Sequence, residues 1–86
     1  MYSIEFTRSA EKDLDKIPDL YYETIISKIK KLANEPRPYG HKKLKSYTNY
    51  YRIRIAKYRI IYSIQDDKLL IVVIAIDHRK DIYKNI

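Results

Sequence analysis

After Asn49 the hydrophobic period of this chain changes from that of a helix to that of a strand, and it stays there for more than two dozen residues. Tyr51, Ile53 and Ile55 alternate with Arg52 and Arg54. Tyr58, Ile60, Tyr62 and Ile64 alternate with Arg59, Ile61 and Ser63. Residues 68–76 are almost continuously apolar, the composition of a central strand buried on both faces. Ala56-Lys57 and Asp66-Asp67 supply turns between these runs, so the second half reads as three consecutive antiparallel strands.

The first half has a different period. Residues 2–6 alternate and are rich in β-formers, which predicts a short first strand. Thr7 or Ser9 can cap a helix on which Ala10, Leu14 and Ile17 recur at helical spacing. Pro18 stops it, and Asp19 is the expected cap of a second helix. There Tyr22, Ile25, Ile29, Leu32 and Ala33 form the apolar stripe, and Asn34 and Pro36 end it. Residues 36–49 read as a basic loop. The expected fold is α+β in a single domain over 1–86. It has a short N-terminal strand, a helical hairpin, and a three-stranded antiparallel meander in one twisted sheet with the helices on one face.

Charge is segregated along this frame. The net charge is +7, which favours an anionic partner. Between Glu35 and Asp66 there is no acid, but there are eight cations: Arg37, Lys42, Lys43, Lys45, Arg52, Arg54, Lys57 and Arg59. Six of the ten tyrosines lie in the same stretch. Cations interleaved with aromatics suit a phosphate backbone carrying stackable bases. Lys42, Lys43, Lys45, Lys57 and, in the tail, Lys80 are the candidate RNA-binding lysines.

A two-residue loop at Ala56-Lys57 has a consequence that can be counted. Pairing sums to 113, so Arg54 faces Arg59, Arg52 faces Ile61 and Tyr51 faces Tyr62. Arg52, Arg54 and Arg59 then share one face, where like charges opposite each other are unfavourable unless an anion lies between them. The planar guanidinium fork suits phosphate. A solvated face whose charges discourage edge pairing carries the same pattern. The tail offers His78, Arg79 and Tyr83 directly after the apolar strand. Histidine transfers protons near neutral pH and tyrosine stacks on bases. A terminal helical turn packing Ile82 and Tyr83 on the core is the alternative use of that segment.

Other chemistries are poorly supplied. There is no cysteine, so neither a disulfide framework nor a thiolate metal site is available, and a reducing cytoplasm is the expected compartment. Two histidines and no clustered carboxylates argue against a zinc or two-metal site. The single glycine, Gly40, rules out a glycine-rich phosphate loop. The N-terminus lacks the apolar stretch of a signal peptide, and no apolar run is long enough to cross a membrane. No metal, small-molecule cofactor or membrane contact is therefore expected.

Two segments carry a resemblance. Tyr51-Arg-Ile-Arg-Ile-Ala-Lys-Tyr-Arg-Ile-Ile-Tyr62 and the ending Asp77-His-Arg-Lys-Asp-Ile-Tyr83, placed after a strand and a helical hairpin, resemble the RelE branch of the RelE/ParE toxin superfamily. The resemblance implies a toxin that enters the ribosomal A site and cuts mRNA by attack of the ribose 2′-hydroxyl, without a metal. It implies catalytic roles for Arg52, Arg54, Arg59 and Arg79, and base stacking by Tyr83. It also implies an acidic antitoxin protein as partner, beside the ribosome and mRNA. One departure bears on mechanism. Well-known members carry lysine at the positions of Arg52 and Arg54, and one of those lysines is the general base. A guanidinium stays protonated, so Arg54 would be a poor base. The proton then falls to His78, or to the ribosome and solvent. The ParE branch, which inhibits DNA gyrase, and a non-catalytic nucleic-acid-binding module are the competing readings.

Overall fold

The computed structural model describes residues 1–79. Along the chain come β1 (Ser3–Phe6), α1 (Arg8–Asp15), α2 (Asp19–Lys31), β2 (Lys42–Lys43), β3 (Tyr50–Ile55), β4 (Tyr58–Gln65), a 3-10 turn (Asp66–Lys68) and β5 (Leu70–Asp77). They form an α+β fold around a mixed five-stranded sheet of order β1-β5-β4-β3-β2. β3, β4 and β5 make the antiparallel meander, and β1 runs parallel to β5. One face of the sheet packs on the helices. Ala10, Ile17, Ile25, Ile29 and Leu32 meet Ile53, Ile55, Ile60, Tyr62, Ile64, Ile71, Val73 and Ile76 in one buried cluster.

Local chemistry explains most element ends. Thr7 is the cap of α1: its Oγ1 accepts from the Ala10 N–H at 3.1 Å. The same hydroxyl donates to the Ile74 carbonyl at 3.0 Å. That second bond serves a bulge in β5. Ile61 pairs Ala75 while Tyr62 pairs Val73, so Ile74 is the extra residue. β1 runs out opposite Val73, which leaves the bulged edge of β5 without a strand neighbour. α1 supplies the substitute, for the Asp13 carboxylate accepts from the Ile76 N–H at 2.9 Å. Asp13→Ala strands that part-buried N–H and is expected to cost about 1–3 kcal/mol. Urea unfolding against the parent measures it; an unchanged midpoint would count against this bond as a support of β5.

The structure departs from the sequence reading at five points. The segment expected to be loop contains β2, whose two residues pair with Arg52 and Tyr51. Asp19 is the first residue of α2 and not its cap; the cap position is Pro18, which has no side chain able to accept. Tyr21, not Tyr22, packs on the core, because the buried row follows steps of four through Ile25 and Ile29. The strand buried on both faces is β4, at the sheet's centre, whereas β5 alternates between buried and half-buried residues. Finally, the first strand joins the sheet beside β5 in parallel, a pairing that the residues themselves did not specify.

Candidate nucleic-acid interface

The face of the sheet turned away from the helices carries the arginines. The β3–β4 register is the one counted from the sequence: Arg54 opposite Arg59, Arg52 opposite Ile61 and Tyr51 opposite Tyr62. β2 adds Lys42 directly opposite Arg52. Residues directly opposite share a face, so Lys42, Arg52, Arg54 and Arg59 all project to the open side.

A loop roofs part of this side. The Leu44 N–H donates to the Tyr50 carbonyl at 2.9 Å, and the Ile64 N–H donates to the Asn49 carbonyl at 3.0 Å. Asn49 adopts a left-handed φ of 65°, which an asparagine tolerates. Between loop and sheet lies a cleft of about 520 Å³ lined by Lys42, Lys43, Leu44, Lys45, Ser46, Tyr47, Arg52 and Arg59. Five of these eight are cations and none is acidic, so the cleft is built for an anion. Ile61, directly opposite Arg52, is fully buried although it faces the open side.

At the β5 end Arg79 does not line the cleft; it borders a separate pocket with Lys16, Lys57, Tyr58 and His78. Asp77 stands opposite Arg59. Its Oδ2 accepts from Arg79 Nε at 2.9 Å and pairs with Arg79 Nη2 at 2.8 Å. Its Oδ1 accepts from the backbone N–H groups of His78 and Arg79. Burial by itself would raise the Asp77 carboxyl, but the Arg79 guanidinium and those two N–H groups hold it below the usual carboxylate range. Arg59 Nη1 donates to the His78 carbonyl at 3.2 Å. Arg59 and Arg79 are thus tied to the same short stretch of backbone. Asp77 was not among the candidate residues.

Four candidates stand elsewhere or outside. Lys57 holds its ammonium over the rings of Tyr21 and Tyr58, at 5.5 and 5.8 Å, and is turned toward the helices, not into the cleft. The His78 ring packs edge-on against Tyr58 with centroids 5.9 Å apart, so it too is on the helix side of the sheet. Lys80 and Tyr83 lie outside the described residues. Arg37 belongs to a different cluster. It donates to both carboxylate oxygens of Asp66 and to the Tyr51 hydroxyl, while the Tyr2 hydroxyl donates to Asp66 at 2.6 Å. The bond from Arg37, then that from Tyr2, holds the Asp66 carboxyl below its ordinary value. This ties the loop after α2 to the far end of the sheet.

The cleft can therefore stabilise negative charge at a phosphate. No His, Asp or Glu lines it. Among the described residues there is no group of three His, Cys, Asp or Glu suited to a metal ion, and no helix long and apolar enough to cross a membrane.

Comparison with known proteins gives the family and the fold. The family model described as the ParE toxin of type II toxin-antitoxin systems, parDE, matches residues 4–83. Toxin RelG of Mycobacterium tuberculosis is 30% identical over 84 residues, covering 96% of this chain and 97% of RelG. The fold superposes on the toxin-antitoxin complex RelBE2 of M. tuberculosis with a TM-score of 0.80 at 29% identity, over 91% of this chain and 98% of that one. It superposes on the RelB-RelE antitoxin-toxin complex of Methanococcus jannaschii with a TM-score of 0.73 at 32% identity, over 94% of this chain and 96% of that one. The chain belongs to the RelE/ParE superfamily of toxins of type II toxin-antitoxin systems, and its likeness is to the RelE-type members.

Proposed function

We propose that this toxin is a cytoplasmic, ribosome-dependent endoribonuclease that cuts mRNA in the A site. The observation that carries the proposal is the cation-lined cleft, where guanidinium groups from β3 and β4 meet lysines of the β2 loop; Arg79 is paired with Asp77, the residue opposite Arg59. In this reading the 2′-hydroxyl of one ribose attacks the adjoining phosphorus. The bond to the 5′-oxygen of the next nucleotide breaks, and that oxygen takes a proton from water or a ribosomal group, leaving a 2′,3′-cyclic phosphate and a free 5′-hydroxyl. Charge grows on the phosphoryl oxygens as the phosphorane forms, and fixed guanidinium groups stabilise it without reorganising. Positive charge comes from arginine and the nucleophile from the substrate itself, so no metal takes a step.

Proton removal is what the cleft supplies least. Arg52 lines the cleft and Arg54 shares its face of the sheet, and a guanidinium is a poor proton acceptor. The His78 ring is turned to the other side of the sheet. The proton from the 2′-hydroxyl therefore goes to water or to a ribosomal group, which accounts for a reaction that needs the ribosome to position the RNA. The RelE relatives solved in complex with RelB antitoxins support an antitoxin partner here as well, and the +7 charge suits an acidic one.

The test is cleavage of a defined mRNA by the purified protein, with and without programmed ribosomes, mapped by primer extension. Cuts confined to the A-site codon and dependent on ribosomes are expected. A protein that arrests growth, leaves mRNA intact and induces DNA damage would instead be a gyrase inhibitor. Salt-sensitive RNA binding with neither cleavage nor arrest would make it a non-catalytic binding module.

A further inference from the structure

Tyr47 and Tyr50 lie ring upon ring, with centroids 5.0 Å apart and planes only 13° from parallel. Tyr47 lines the cleft beside Lys45, Arg52 and Arg59. Tyr50 opens β3 on the same side of the sheet as Arg52, two residues on. Neither ring is buried; both are half-exposed. The loop that presents Tyr47 is closed by the Leu44–Tyr50 hydrogen bond, so the pair is held in place before any ligand arrives. An aromatic surface set in this way against a row of cations matches what single-stranded nucleic acid offers, a charged backbone with a flat base on each unit.

From this we infer that the Tyr47–Tyr50 stack is a base platform at one end of the cleft. A phosphate lies on Lys45, Arg52 and Arg59, and the base of a neighbouring nucleotide stacks on the outer face of the tyrosine pair. The inference rests on the RNA-cutting reading and adds a second contact to it, one that grips a base without reading its edge. It therefore adds affinity and register with little sequence preference. The competing role is a lid over the fully buried Ile61. A lid needs apolar bulk; a platform needs a ring.

That difference sets the experiment. A short single-stranded RNA, 2′-O-methylated so that it cannot be cut and labelled with fluorescein, is titrated with the parent, Tyr47→Leu and Tyr47→Phe at low salt, followed by anisotropy. Leucine keeps the bulk and loses the ring; phenylalanine keeps both. Tyr47→Leu is expected to bind about ten-fold to a hundred-fold more weakly, with Tyr47→Phe within about two-fold of the parent. The parent should lose a comparable factor on an oligonucleotide whose bases are replaced by abasic sites, and Tyr47→Leu should lose little more. Parent-like binding by Tyr47→Leu, or equal binding of the parent to both oligonucleotides, overturns the platform and leaves the RNA reading standing. A parent that binds neither oligonucleotide overturns both.

Discussion

Arg59→Ala is expected to lower ribosome-dependent cleavage on the order of 10²- to 10³-fold, the loss typical of removing one fixed donor from a developing oxyanion. Arg59 lines the cleft and donates to the His78 carbonyl, so its guanidinium is placed by both β4 and the end of β5. The fold should not suffer. Arg59 faces Arg54 across the β3–β4 pair, and like charges in that position oppose pairing. Asp77 on the other side and the bond to His78 offset that repulsion, so the variant should unfold in urea close to the parental midpoint. Arg79→Ala should lose activity too, with Asp77 left without its side-chain partner. Lys57→Ala is the control: its ammonium sits on tyrosine rings at the helix side, so cleavage should stay within about two-fold of the parent, since surface changes away from such a site have small effects. Parental cleavage by Arg59→Ala at equal concentration would sink the proposed site. Loss of activity in Lys57→Ala with Arg59→Ala active would place the site on the opposite side of the sheet.

What could be read in the sequence, and what could not, follows the periodicity. A two-residue loop between alternating runs determines parity, so the shared face of Arg52, Arg54 and Arg59 could be counted before any coordinates. Parity fails at a bulge. The extra residue Ile74 in β5 shifts every later pairing, so the opposition of Asp77 to Arg59 could not be counted across it. Beyond the bulge alternation resumes: Ile76 is buried, Asp77 faces the arginines, and His78 turns back to Tyr58. The orientation of the His78 ring was thus legible one step from a known core residue, and its adjacency to Arg79 in sequence concealed it. Lys57 sits in the turn itself, where neither face is defined by alternation. β2 spans two residues, too short for any period, and the neighbour of β1 was decided by tertiary packing. Tyr21 and Tyr22 are chemically identical, so only the exact phase of α2 separates the buried one from the exposed one.

The largest effect on stability is expected at Tyr62, at the centre of the sheet. Its side chain is fully buried, its ring lies 6.0 Å from that of Tyr51, and its hydroxyl donates to the Pro36 carbonyl at 2.7 Å. Tyr62→Ala removes the ring and leaves a cavity, at a cost of about 3–5 kcal/mol. That is a large share of the ~5–15 kcal/mol that holds a typical domain folded, so this variant should be extensively unfolded at moderate temperature. Tyr62→Phe removes only the hydroxyl and should cost about 1–2 kcal/mol by leaving the Pro36 carbonyl without its donor. The hydroxyl also predicts a pH dependence. Burial, opposed in part by the nearby Arg37 guanidinium, pushes Tyr62 well above the ordinary tyrosine value. The unfolded chain ionises this group from about pH 10, whereas the folded chain keeps it protonated. Folding thus retains a proton that unfolding releases, so the contribution of this hydroxyl is constant below about pH 10 and falls as pH rises beyond it. Tyr2 is also raised, chiefly by its bond to Asp66, and contributes to that fall in parent and variant alike. Urea titrations at pH 8 and pH 11 should show a smaller alkaline loss for Tyr62→Phe than for the parent. Equal losses would mean that the Tyr62 hydroxyl is ionised as readily in the folded chain as in water, and that the contact with Pro36 does not persist in solution.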